Sequence, residues 1–201
     1  MTFTRDDKKV YQKDRLDLAI DRFAKIERPT RNDLDLVKIT AQVERGLDKY
    51  RADAMRMSID ELEDEGHQSS LLAHFLAVSG DPKPSPKCHA HAIVSGAHRS
   101  AAELRAVLAW LKLRIDDPDN GCWLPENTAA LTHMPSHLRN AVPHSRIHRF
   151  NYYFWLNTLI DPAITSSQAD LRRTLSMVAT RLQSGSQPIY VMNKKGDGLP
   201  A

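Results

Sequence analysis

Cys88-His89-Ala90-His91-Ala92-Ile93-Val94, Asp119-Asn120-Gly121-Cys122-Trp123-Leu124-Pro125 and His144-Ser145-Arg146-Ile147-His148, the last leading into Tyr152-Tyr153, are the segments whose reading decides the fold. Seven of the nine histidines fall between Cys88 and Leu156. Side chains alternate across a strand, so His89 and His91 share one face of a strand predicted over Lys87 to Val94. His144 and His148 are spaced i, i+4. On a helix running from Pro143 or Ser145 to about Ile160, they would lie on one side with Cβ atoms roughly 5–6 Å apart. That is a bite suited to one metal ion. His133 and His137 have the same spacing, but Pro135 is tolerated only in a first helical turn, which leaves His133 outside it. Singly, each pair reads as ordinary surface or packing histidines. In this order, a hairpin facing a helix can gather three imidazoles round one divalent cation and leave a position open for substrate and water.

Outward from this stretch the chain is helical. Leu16, Ala19, Ile20 and Phe23 recur with helical period from Asp14. Leu36, Ile39, Val43, Leu47 and Tyr50 form the stripe of a second helix, capped by Thr30 or Asn32. Ser58-Ile59-Asp60-Glu61 is a capping box that opens a third. It carries Leu62, Leu72, Phe75 and Leu76 toward Gly80, with Gly66 a candidate break. Residues 1 to about 13 read as polar and frayed, and residues 1–80 carry no evident chemistry. Asp81-Pro82-Lys83-Pro84-Ser85-Pro86 is a stiff, extended connector, because each Pro fixes its own φ and biases the residue before it away from helix. It is the predicted boundary between a helical region, 1–80, and a core, 87–160, followed by a C-terminal helix and tail, 161–201. Within the core, Ser100 to Ile115 reads as a helix, and Asn120-Gly121 as a turn able to take positive φ. Ser166 to Gln183 reads as the last helix and Pro188 to Met192 as an edge strand. Trp110, Trp123, Phe150, Phe154 and Trp155 are expected in the core, and Arg172, Arg173 and Arg181 on a polar face.

An apolar share of 41% with 26% charged residues excludes wholesale disorder. A net charge of +3 suits a phosphate-bearing partner without demanding one. Cys88 and Cys122 are too few for a disulfide framework and are not a Cys-x-x-Cys pair; reduced thiols are expected. No apolar run is long enough to span a membrane, and no leader-like apolar centre stands near Met1. Export, if it happens, is expected to need no cleaved signal peptide.

His89 to Val94, Ile115-Asp116-Asp117, Asn120 to Pro125 and His144 to Tyr153 together resemble the AHH nucleases. These are a branch of the HNH/endonuclease VII superfamily, common as toxin domains of bacterial polymorphic toxin systems. The resemblance covers about residues 87–160 and implies a ββα-metal, treble-clef core. It implies His91, His144 and His148 as metal ligands, and Asn120 as a brace for the loop or the base. The family motif reads Ala-His-His where this chain has Ala90-His91-Ala92, so Ala92 stands at the general-base position. Three accounts stay open: His89 has taken over the base role, the base has been replaced to make an inactive form, or the chain is a natural pseudoenzyme. Inactivation is preferred here, because an active nuclease kills the cell that expresses it.

The expectation is therefore an α+β, mostly helical protein with a small ββα-metal core flanked by helices. Its expected activity is metal-dependent hydrolysis of DNA, less readily RNA, with Mg²⁺, Zn²⁺, Ni²⁺ or Mn²⁺ as the cation. Arg146 and Arg149 are candidate phosphate contacts. The resemblance implies a delivered antibacterial effector acting in a target-cell cytoplasm and a cognate, acidic immunity protein. Rival readings are a zinc-dependent hydrolase of a small molecule and a noncatalytic interaction protein with a structural metal site.

Overall fold

Two short strands organise the chain: β1 (Cys88–Ala92) pairs antiparallel with β2 (Gly121–Pro125), with His91 opposite Cys122 and Ala92 opposite Gly121. This computed structural model describes residues 8–200. It divides into two units, 1–50 and 51–201. The helices are α1 (Arg15–Ala24), α2 (Arg31–Ala54), α3 (Ile59–Glu63), α4 (Ser69–Val78), α5 (Ala102–Trp110), α6 (Phe150–Leu159) and α7 (Gln168–Ser184). The fold is α+β and mostly helical, as expected.

The first unit holds α1 and α2 as far as Tyr50. Asp14 caps α1 by accepting the Asp17 amide, and Lys8 and Lys13 reach Asp17 and Asp21. Thr30 caps α2, accepting the Asp33 amide while Asp33 accepts its hydroxyl. The expected apolar stripe on α2 is only half realised: Leu47 and Tyr50 are buried, but Leu36 and Ile39 remain exposed. Of the polar stretch expected at the start, residues 1–7 lie outside the described residues, and Val10–Gln12 forms a 3₁₀ turn.

In the second unit the hairpin separates two apolar clusters. Cys88, Ala90, Ala92 and Trp123 pack with Leu72 and Leu76 of α4 and with Met134 and Leu138. Cys122 and Leu124 belong to the larger cluster, with Ile147, Tyr152 and Trp155 and with Leu171, Leu175, Val178 and Leu182 of α7. Alternation along each strand sends neighbouring side chains to opposite clusters. Because α4 packs on β1, the division of the chain lies at Tyr50–Arg51, and the Pro-rich segment runs within one unit. Proline composition marks stiffness, whereas a domain boundary requires that few contacts cross it.

Other expectations are corrected locally. The Ser58 capping box is present, but its helix ends at Glu63 and α4 begins separately at Ser69. Residues Leu111 to Ile115 leave the helix at α5, where Lys112 takes a positive φ of 58°; Leu113 and Ile115 are buried all the same. Trp110 is 52% exposed and Phe150 41%, whereas Trp123 and Trp155 are buried. Ile189–Met192 is a 3₁₀ turn rather than an edge strand. Gly121 is extended, at φ −131°. Glycine is needed there for room, since a Cβ would meet Leu72 Cδ1 at 2.6 Å.

Candidate metal centre

His91, His144 and His148 converge, each offering one ring nitrogen, with the three nitrogens within 4.8 Å of one another. His91 comes from β1 and is fully buried. His144 lies in a 3₁₀ turn, His144–Arg146, and His148 in the link between that turn and α6. The expected helix from Pro143 is therefore absent at this point. Arg149 is extended, at φ −127° and ψ 165°, so α6 has to start afresh at Phe150. The segment is pinned instead by the Ser145 amide, which donates to Glu126 O at 3.1 Å, and by Ile147, which is wholly buried. The i, i+4 histidines meet because their link folds over β1, and not because they share a helix face.

Hydrogen bonds fix the chemistry of His91. The Tyr152 hydroxyl donates to Ile93 O at 2.7 Å, and His91 Nε2 lies 3.1 Å from the same hydroxyl. With the hydroxyl proton already given away, Nε2 must carry the imidazole proton and donate it. The lone pair then sits on Nδ1, which is buried and without a hydrogen-bond partner. An orphaned buried acceptor costs about 1–3 kcal/mol. A cation ligated by Nδ1 would remove that cost, and Tyr152 has the orienting role that partners of metal-bound imidazoles usually take. His148 Nδ1 lies 3.0 Å from the Tyr153 hydroxyl, and the His98 ring stacks on Tyr153 at 4.4 Å.

The electrostatics agree. Burial, followed by the charges of His148 and His144, holds His91 well below the usual imidazole range. His144 is lowered by burial and then by His89. His148 is pushed down to about 4, first by burial and then by His144. Part of the His148 residue is open to solvent, yet its ring lies against His91 and Tyr153. Three neutral imidazoles are thus presented together at neutral pH, the protonation state that ligation requires. Two nitrogens bound to one ion at about 2.0–2.1 Å can be no more than about 4.2 Å apart. Small ring movements from the observed spread would close such a site, so the donor set fits a cation.

The remaining candidates are distributed unevenly. His89 is half-exposed, with Nδ1 3.4 Å from His144 Nδ1 and Nε2 3.8 Å from Glu126 Oε2. Ala92 is turned away, into the cluster of Leu72 and Leu76. Asn120 is fully buried and spends its side chain on backbone: Oδ1 accepts from the Val94 amide, and Nδ2 donates to Val94 O and Ile115 O. It braces the end of β1 against the turn before β2. Arg146 and Arg149 are exposed, Arg149 donating to Met192 O. His133 and His137 occupy separate 3₁₀ turns either side of Pro135, outside the cluster. Cys88 and Cys122 are buried free thiols, both raised by burial.

Sequence reading missed three groups. His67 Nδ1 lies 2.5 Å from buried Asp116, which also accepts the Gln68 amide. Asp117, almost fully buried, is held by Arg51 and Arg172, and the same arginines reach Asp119. Arg172 is therefore part of an ionic knot under the turn that leads into β2. The two tyrosine hydroxyls are the third. The Asp116-Asp117 pair beside a turn and the paired tyrosines were the sequence signals; the partners of these groups are distant in sequence.

Residues 72–183 match the AHH family, a nuclease family of the HNH/ENDO VII superfamily with conserved AHH. No curated protein and no solved structure matches the chain. No described helix is long and apolar enough to cross a membrane. The family match spans more than half of the chain and takes in β1, β2, all three converging histidines and both tyrosines, and on that basis the protein belongs to the AHH family of nucleases.

Proposed function

We propose that the protein is a metal-dependent endonuclease that hydrolyses phosphodiester bonds of DNA, with His91, His144 and His148 holding one divalent cation and His89 serving as general base. The buried, unpartnered Nδ1 of His91 beside two other neutral imidazoles carries this reading. Three imidazoles suit Zn²⁺ or Ni²⁺ better than Mg²⁺, which prefers oxygen ligands. When bound, the cation would polarise the phosphate and offset the charge developing on it.

The chain's own residues supply the rest. His89 is a half-exposed imidazole with Nδ1 3.4 Å from His144 and Nε2 3.8 Å from Glu126. It takes a proton from water as the water oxygen bonds to phosphorus and the bond from phosphorus to the 3′-oxygen breaks. Arg146 and Arg149, both exposed, would meet backbone phosphate, with little sequence preference and strong salt dependence. In this reading Ala92 is a packing residue and the chain is active. The family's frequent use as toxin domains supports a delivered effector that acts in a target cell's cytoplasm and is held in check by an acidic immunity protein.

The test is cleavage of plasmid DNA, and of RNA for comparison, by the full chain with Zn²⁺, Ni²⁺, Mn²⁺ or Mg²⁺ added singly, alongside calorimetric titration of each cation. His144→Ala should weaken metal binding by roughly 100-fold or more, beyond the effect of losing a ligand's hydrogen-bond partner. His89→Ala should lower the rate by about 10²–10⁴-fold with metal affinity kept. Tight metal binding by His144→Ala would refute the ligand set. An unchanged rate in His89→Ala would remove it as the base.

A further inference from the structure

We infer that the cleft between α4, the Pro-rich segment and β1 seats the nucleotide next to the scissile phosphate, with Lys83 holding that nucleotide's outer phosphate. This rests on the nucleic-acid reading above and adds a location for the strand. The cleft measures about 360 Å³, and His89 and His144 line it directly, so it continues from the candidate catalytic groups.

Its lining is divided in character. Ser69, Ser70 and Lys83 are its exposed polar lining, Ala73 is half-buried, and Cys88, Ala90 and Trp123 are buried. No carboxylate lines it, and among the described residues none pairs with the exposed Lys83 ammonium. Trp123 and Ala90 are almost fully buried, 2% and 8% exposed, and the Trp123 indole N–H is already donated to Asp81 O at 2.8 Å, so it gives a ligand no donor. Pro82 and Pro84 flank Lys83 and fix the backbone that carries it. An exposed cation and two hydroxyls in one cleft with His89 and His144 match the phosphate of a neighbouring nucleotide. Hydroxyls and an ammonium ion do not form a bidentate fork for any one base edge. The cleft therefore reads backbone, not sequence. It also gives the Pro-rich connector a function, which is to present Lys83.

The experiment measures binding of a short labelled single strand, and of the matching duplex, to the full-length protein with cleavage stopped by EDTA, over a salt series. In Lys83→Ala the slope of log K against log salt should become shallower by roughly 0.7 for the single strand or 0.9 for the duplex. The loss should be the same for unrelated sequences. Ala73→Trp, which fills the cleft without removing a charge, should weaken binding and leave the slope unchanged. Both variants should titrate Zn²⁺ or Ni²⁺ like the unmodified chain, showing that the histidine site is intact. If the unmodified protein binds nucleic acid and Lys83→Ala keeps its slope, the inference falls and the nuclease reading stands. If the unmodified protein neither binds nor cleaves nucleic acid, both fall.

Discussion

The two sides of β1 differ in what they are built to tolerate. On one, His89 and His91 face His144, and the buried ring of His91 leaves a lone pair unused. On the other, Cys88, Ala90 and Ala92 present small side chains to Leu72, Leu76 and Met134, with the Cys88 thiol 3.4 Å from the Met134 sulfur. Five residues of backbone thus divide a costly polar arrangement from a close-packed apolar one. The apolar side can fix the strand's position, and the polar side can then hold neutral imidazoles where solvent would otherwise scatter them. A family motif that places two histidines in succession has to put them on both sides of such a strand. This chain keeps only the one that faces the cluster.

Ala92→His tests that division most severely. A larger side chain in the Leu72 and Leu76 cluster should cost about 1–3 kcal/mol through overpacking, with a further cost for an imidazole that finds no hydrogen-bond partner there. Thermal melting should show a clear loss of stability, and nuclease rate should not rise. A large gain in rate with unchanged stability would mean that position 92 reaches the catalytic side and that the chain as written lacks its base. Adding His89→Ala separates the cases further: a double variant that cleaves well would exclude His89 from the base role.

Tyr152→Phe probes the polar side with less disturbance. The ring still fills its buried place, but His91 Nε2–H loses its acceptor and Ile93 O loses a donor. Loss of such an orienting partner typically lowers metal affinity by about 10–100-fold. Zn²⁺ or Ni²⁺ titration is the readout. Affinity equal to that of the parent would show that the tautomer is set in some other way.

Much of this was legible in the sequence, for reasons that stop at definite residues. Period-2 alternation places His89 and His91 on one side, whereas Asn120-Gly121 reads as a positive-φ turn and Gly121 instead opens β2 in extended form. The convergence of His144 and His148 was foreseen through a helix that is not there; the spacing survives because the link from Pro143 to Arg149 wraps back on β1. The Pro-rich segment resembled a boundary because composition reports local stiffness, whereas the packing of Leu72 on the hairpin is tertiary. Tyr152 was visible only as part of a motif. Its hydroxyl acts across 61 residues on His91 and 59 on Ile93, which no local pattern encodes. The His67 contact with Asp116 spans 49.

The smallest expected effect is the response of the metal-free protein to acid. An unfolded imidazole takes up its proton near pH 6.5. In the fold His148 stays neutral down to about pH 4, and His91 and His144 are also lowered, burial being the leading cause for all three. Between these limits the unfolded chain binds more protons than the folded one, so stability rises with pH across the window. It follows that the triad's contribution is complete above about pH 6.5 and is lost as pH falls toward 4. The lowered carboxylates, such as Asp17, Asp33 and Asp170, stabilise the fold fully above their unfolded range near 4 and lose that stability only as pH falls below it. Glu44 and Asp81, raised by burial, act in the opposite sense. A variant changed only at the histidines keeps all of these and isolates the triad. The apolar side of β1 adds nothing there, since Cys88 is raised. Melting temperature in EDTA should therefore fall between pH 6.5 and 5 in the parent and fall less in a His144→Asn, His148→Asn variant. Equal slopes would show that the imidazoles are no more desolvated in the fold than in the open chain, and the contrast between the two sides of β1 would lose its electrostatic basis.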